Sequence, residues 1–304
     1  MTKVKKFDIG AVSFWLIEKP DNNILTEIKV IIDLNQSTLT ELAEPSNQPK
    51  SEEYQDYFYF ILHLPIWQKL EKKNKNVEID LIYAENFLAC VSYEETLPLI
   101  EFEQELENNT YFRDNLIVAN DSFFVFYELL RFVFKFLSRQ LHHLQKKVDQ
   151  VEDKIFTFDL KLLGDFREIK MDVLDFIKII QQNQRGLIYL DQYKIFAQVD
   201  RYLFKKLESD YLKIMDQLNF FQAATNSLET SQLNFLNLQF TKTVRTFTTL
   251  AFITFPLMLL VGLVGLGYDS NPLFRLGQSF WLVLGLTLTA AILMIIYFKN
   301  KKWL

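Results

Sequence analysis

Thr246–Leu266 reads TFTTLAFITFPLMLLVGLVGL, 21 residues without a charge, and Ser279–Phe298 reads SFWLVLGLTLTAAILMIIYF, 20 more. Only the loop Gly267–Gln278 separates them. At about 1.5 Å of rise per helical residue, each run is long enough to cross a hydrocarbon core of roughly 30 Å. Residues 246–304 are therefore expected to form a two-helix transmembrane hairpin with a basic C-terminus. Lys242 and Arg245 precede the first run, Lys299, Lys301 and Lys302 follow the second, and the loop holds only Asp269 and Arg275. Basic flanks stay inside, so both chain ends are expected in the cytoplasm and the protein in the plasma membrane with two spans. The competing reading, a hydrophobic hairpin buried in a large soluble core, does not account for such one-sided flanks.

The remainder reads as cytosolic. Met1–Lys6 is basic, but no apolar stretch follows it as in a signal peptide. A net charge of −5 and a pI near 5.4 argue against nucleic acid as a partner. The single cysteine, Cys90, excludes an intrachain disulfide and a multi-cysteine metal site. It lies in the apolar run Phe87–Val91 and reads as a buried, inert thiol. No catalytic constellation emerges. His63 sits in a strand-like run, and His142-His143 are adjacent, so they cannot share one helix face as metal ligands at i, i+4 would. The chain is not expected to be an enzyme.

Residues 1–120 read as an α+β domain in α/β/α layers with a mostly antiparallel or mixed sheet. Tyr57–Leu64, Val77–Tyr83 and Phe87–Ser92 have the apolar, aromatic character of strands, with a turn at Asn86. Thr38–Glu41 suits a helix start, and Pro45–Pro49 a break. From residue 121 the pattern changes. Leu130, Phe134, Leu137, Leu141, Leu144, Val148, Val151 and Ile155 alternate at spacings of four and three. A second seam runs Leu162, Phe166, Ile169, Val173, Phe176, Ile180, Asn183, Leu187, so residues 121–192 are expected to form an antiparallel helix pair. A third helix is expected from Tyr193 into the first span, with 193–245 as its cytosolic part. Its seam runs Leu207, Tyr211, Ile214, Leu218, Phe221, Thr225, Leu228, Gln232, Phe235, Gln239. The polar members fit either a wet core or register-setting positions of a dry coiled coil.

Phe255-Pro256-Leu257, Gly262-Leu263-Val264-Gly265 and the ending Tyr297-Phe298-Lys299-Asn300-Lys301-Lys302-Trp303-Leu304 give the chain its resemblance to the CorA family of divalent-cation channels. Asn47-Gln48-Pro49-Lys50 followed by Tyr54–Pro65, and Phe87–Pro98, resemble further family segments. The resemblance implies a funnel-shaped homopentamer in a lipid bilayer. Each subunit would give one long helix to a central pore, and Mg²⁺ would be the transported ion, driven by the membrane potential.

The resemblance also exposes departures. Where the family carries Gly-Met-Asn at the outer end of the first span, this chain has Gly265-Leu266-Gly267. Gly267 offers only a backbone carbonyl to a hydrated cation. Asp269 either adds a ring of carboxylates at the mouth or is a solvated turn acid. Carried over residue by residue, a polar pore ring falls on Thr241 and hydrophobic constrictions on Val244 and Phe247. Gly262 permits close helix approach, and Met258 is the only soft group along the implied pore. The family's cytosolic metal sensor uses a carboxylate after a Phe-Arg pair, and here Phe204-Lys205 is followed by Lys206. The expected function is a divalent-cation channel with altered selectivity and gating. The alternatives are a Zn²⁺, Co²⁺ or Ni²⁺ transporter of the same fold, or a non-conducting, membrane-anchored regulator or scaffold.

Overall fold

The computed structural model describes residues 2–46, 48–68, 73–153, 161–265 and 279–301, without the side chains of 73, 161–163, 185, 260, 263–265, 279, 280, 282 and 283. The chain divides into two compact units, Met1–Glu229 and Thr230–Leu304.

The first unit is built on a six-stranded mixed sheet. Its strands are β1 (Lys3–Ile9), β2 (Val12–Glu18), β3 (Lys50–Glu53), β4 (Phe58–Gln68), β5 (Lys73–Ala84) and β6 (Phe87–Ser92), in the order β1-β2-β6-β5-β4-β3. Only β2 and β6 are parallel, in the register Phe14↔Leu88. β1 and β2 turn at Gly10, whose φ of +64° and whose missing Cβ, 2.4 Å from Asn120 Oδ1 if built, both require glycine.

Alternation along the strands sorts side chains onto two faces. Phe58, Phe60, Leu62 and Leu64 of β4 join Ile79, Leu81 and Tyr83 of β5 in the larger core. Tyr57, Tyr59 and Ile61 point to the other face with Ile82, Ala89 and Val91. There α1 (Asn22–Ile31) contributes Leu25 and Ile28, and α2 (Gln36–Ala43) contributes Leu42. The larger core is closed by α3 (Leu97–Asn108), α4 (Thr110–Ala119), α5 (Ser122–Glu152), α6 (Lys161–Gln182) and the short α7 (Gln184–Ile188). The expected α/β/α layering is therefore present.

Local chemistry sets the helix starts. Asn35 accepts from the Ser37 N–H at 3.1 Å, so α2 begins two residues ahead of the expected Thr38. Asp121 accepts from the Phe123 N–H at 2.9 Å and starts α5. The heptad residues of α5 from Leu130 to Val151, and those of α6 from Phe166 to Ile180, are buried as their spacing requires. Leu162 and Ile155 lie outside the described side chains.

The long helix α8 runs Arg201–Gly265, so it begins later than the expected Tyr193. Two 3₁₀ turns, Leu190–Gln192 and Lys194–Phe196, come first. Tertiary anchoring holds them out of the helix. The Tyr193 hydroxyl donates to Ser51 Oγ at 2.9 Å, the Ile195 N–H donates to Glu53, and the Phe196 ring sits 5.0 Å from that of Phe58 and 4.8 Å from that of Tyr83. Asp200, accepting from the Tyr202 N–H at 2.9 Å, starts α8.

Asn183, read above as a polar member of the α6 seam, is 2 % exposed and serves the sheet. β3 stops pairing with β4 at Lys50↔Ile61. Beyond that point the Asn183 amide takes over. Its Oδ1 accepts from the His63 N–H at 2.9 Å, and its Nδ2 donates to the His63 carbonyl at 2.6 Å.

The second unit holds the rest of α8, from Thr230, and α9 (Ser279–Asn300), with the Phe252 and Phe298 rings 6.4 Å apart. Among the described residues no helix is long and apolar enough to cross a membrane. This corrects the expected two-helix transmembrane hairpin and, with it, the two-span placement in the plasma membrane and the channel built on those spans. Over its described length α8 carries Lys242, Arg245 and threonines at 241, 243, 246, 248, 249 and 254, which dilute its apolar character. What the chain shows is an α/β domain followed by long helices.

Candidate functional site

Several large apolar side chains of α8 lie at its surface in the single chain. Phe240, Val244, Phe247, Phe255 and Met258 are exposed, Phe247 at 68 % and Met258 at 72 %. Their positions, with Ala251 and Gly262, step by four and three and so follow one face of the helix. A Cβ added to Gly262 would meet nothing within 4 Å, so this glycine lies in open space within the single chain. Thr241 is exposed, and its hydroxyl donates to the Asn237 carbonyl at 2.8 Å. Thr246 and Thr248 do the same one turn back, at 3.0 and 2.8 Å. The hydroxyl protons are thus spent within the helix, and what the threonines still offer a neighbour is oxygen lone pairs and methyl groups. Gly265 ends α8. Leu266, Gly267 and Asp269 lie outside the described residues.

Lys206 is exposed and forms no ion pair among the described residues. Its ammonium lies 5.8 Å from the Tyr127 ring centroid and 6.0 Å from that of Tyr202, both of which attract a cation. The nearby Asp210 is taken by Lys213 at 2.8 Å. Lys206 therefore stands as a fixed positive charge beside aromatic rings.

Among the described residues no group of three or more His, Cys, Asp or Glu side chains is arranged to hold a metal ion. A more diffuse feature is present in the first unit. An open pocket of about 1000 Å³ is lined by Asp33, Asp56, Glu85, Asp121 and Asp200, and by no described lysine or arginine. Such a concavity concentrates cations without stripping their water. Cys90 is fully buried, and burial pushes its thiol far above the usual range, in keeping with an inert side chain. His142 and His143 are exposed.

The sequence reading missed a buried polar cluster on the α2 side of the sheet. His63, Glu78 and Asp80 are 0, 6 and 0 % exposed. His63 Nε2 is 3.2 Å from Glu78 Oε2, and the Ser46 N–H donates to Glu78 Oε1 at 2.8 Å. Tyr59 and Tyr93 both donate to Asp80 Oδ2, at 2.9 and 2.8 Å. The one signal available was the pairing of polar alternates: Glu78 and Asp80 share a face of β5, and His63 stands opposite Glu78 on β4.

The family described as "CorA-like Mg2+ transporter protein" matches residues 11–301. The chain belongs to this family. Among similar CorA-family proteins is the "Cobalt/magnesium transport protein CorA" of Methanocaldococcus jannaschii, 21 % identical over 94 % of this chain and 89 % of that protein. The protein of the same description in Thermotoga maritima is 20 % identical over 93 % of this chain and 80 % of its own length. The complete structure of the M. jannaschii CorA magnesium transporter superposes with a TM-score of 0.80 at 19 % identity, covering 98 % of this chain and 93 % of that one, so the CorA fold extends over nearly the whole molecule. CorA-family membership places the chain among proteins of divalent-cation transport and not among enzymes.

Proposed function

We propose that this CorA-family chain works as a homo-oligomer whose subunits meet along the 240–262 face of α8, and that Mg²⁺ is the divalent cation to which the assembly responds. The exposed apolar face carries the first half of the reading. Phe240, Val244, Phe247, Phe255 and Met258 follow one helical stripe, and a row of large apolar groups in water is unfavourable until a partner covers it. A face that repeats at helical spacing fits a parallel, symmetric arrangement, in which the same residues meet around an axis. Five subunits is the number the family likeness favours. Thr241, Val244, Phe247, Met258 and Gly262 would then line the axis.

The second half is supported by family membership and by the acid-lined pocket of the first unit, which suits a cation that keeps its water. In place of a metal-binding carboxylate, Lys206 would bridge permanently to an acid of a neighbouring subunit and so reduce the dependence of assembly on metal.

Light scattering of the purified chain, with and without Mg²⁺, tests both halves. A discrete oligomer that Phe247→Asp dissolves, and a rise in Tm with Mg²⁺ larger than with an equal ionic strength of Na⁺, are expected. A monomeric parent chain, or identical melting in the two salts, would overturn the corresponding half.

A further inference from the structure

Asp80 has two carboxyl oxygens in different circumstances. Oδ2 accepts from the Tyr59 and Tyr93 hydroxyls, while Oδ1 is buried with no hydrogen-bond partner. A buried carboxylate oxygen left bare is costly. A proton on Oδ1 removes that cost, because it turns a bare acceptor into a donor. Glu78 is the neighbouring acceptor, two residues along the same face of β5.

The surrounding groups fit a neutral Asp80. From β4, Tyr59 and His63 face the pair. His63 Nε2 lies 3.2 Å from Glu78 Oε2, and its Nδ1 lies 3.2 Å from Asn76 Nδ2 and 3.4 Å from Gln182 Oε1. From the segment after β6 comes Tyr93, whose hydroxyl also lies 3.3 Å from the Glu41 carbonyl of α2. The Glu41 carboxylate is held by Lys50 of β3 at 3.0 Å, and that lysine also pairs with Glu52 at 2.9 Å. The nearest cation of this group is therefore committed to other acids. Cys90, on the opposite face of the sheet, is a neutral thiol. Burial first, and then the charge of Glu78, push Asp80 up to about 8.

We propose that Glu78 and Asp80 hold one proton between them, and that its loss loosens residues 44–46, which follow α2, from the sheet. The link is Glu78 itself, since it holds the Ser46 N–H at 2.8 Å and its second oxygen lies 3.4 Å from Ser46 Oγ. When Asp80 gives its Oδ1 proton to solvent, two carboxylates face each other in a buried site. Glu78, whose oxygens also hold Ser46, is the one that yields. The device is a proton-linked latch on the layer of helices opposite the main core.

The full chain would be followed from pH 6 to pH 10 by the infrared C=O stretch of protonated carboxyl groups and by amide hydrogen exchange at Glu44 and Ser46, referenced to the buried amides of β4. The expected result is a protonated-carboxyl band that fades with a midpoint near 8. Exchange at Glu44 and Ser46 should rise at least roughly threefold over the reference with the same midpoint, and neither change should occur in Asp80→Asn. Absence of the band in the parent chain at pH 6, its persistence in Asp80→Asn, or an equal rise of exchange in that variant would overturn the proposal. Glu78→Gln gives an independent check should Asp80→Asn fail to fold. Removal of the neighbouring charge should move the midpoint down, and an unmoved midpoint would also overturn the proposal.

Discussion

One helix, α8, has two different surfaces. From Phe204 to Phe221 its seam residues Leu207, Tyr211, Ile214, Leu218 and Phe221 are buried in the core of the first unit. From Phe240 to Met258 residues of the same chemical type, at the same helical spacing, are exposed. Periodicity alone tells which residues share a face, but not what covers that face. The first stretch is covered by the chain's own sheet and helices, so its apolar residues stabilise the fold. In the second they are left uncovered within the single chain. The comparison separates folding from assembly along a single element.

Substitutions in the two stretches should break apart accordingly. Leu218→Ala, in the buried stretch, is expected to cost about 2–5 kcal/mol of unfolding free energy, measured by denaturant titration, whatever the oligomeric state. Phe247→Asp, in the exposed stretch, should leave the unfolding of the first unit unchanged and weaken self-association by at least about 2 kcal/mol per contact, read by sedimentation. Equal effects of the two substitutions on unfolding would erase the distinction. A third measurement sharpens it from inside the first unit. Asp80 holds its proton more tightly in the folded chain, up to about 8, than at the ordinary value of 3.8. The folded state therefore binds more protons between these values, and this group's contribution is lost as pH rises from 4 to 8. Asp80→Asn should remove that slope, leaving the variant more stable than the parent by about 1–3 kcal/mol at pH 8 and above, with the gap closing toward pH 4. The smallest effect is expected at Lys206→Ala. The side chain is exposed and touches only aromatic rings, so the Tm of the monomer should not move measurably, and a clear drop would show that Lys206 supports the fold of its own chain.

Much of the first unit could be read from spacing. The seams of α5 and α6 and the early part of α8 are buried where the four-and-three pattern put them, because a helix that closes a core must present one face. The polar seam members divided: Thr225 and Gln232 are buried, while Gln239 is half-buried. The strands β1 and β2 and helix α1 were not anticipated; β2 takes its place by pairing with β6, far along the chain, and β1 by pairing with β2. Asn183 sits at a seam position, and nothing local says that its amide substitutes for a strand. The alternation of Val77–Tyr83 marks Glu78 and Asp80 as a polar face, which ordinarily means solvent. Only the placement of α2 and its following turn over that face makes them buried. The hairpin expectation rested on the absence of charge in two runs. That absence did not weigh the threonines of α8: Thr241, Thr243, Thr246, Thr248 and Thr254 bond to their own helix, and the Thr249 hydroxyl is buried without a hydrogen-bond partner.

The Asn183 clamp has a consequence beyond the stability of its two hydrogen bonds. Where β3 ends, β4 would otherwise present a bare N–H and C=O to any extended segment that came by. With the amide seated there, both groups are occupied and the strand cannot serve as a template for another chain's backbone. A residue of the helical layer thus acts as a guard against sheet-to-sheet aggregation at this point of the strand.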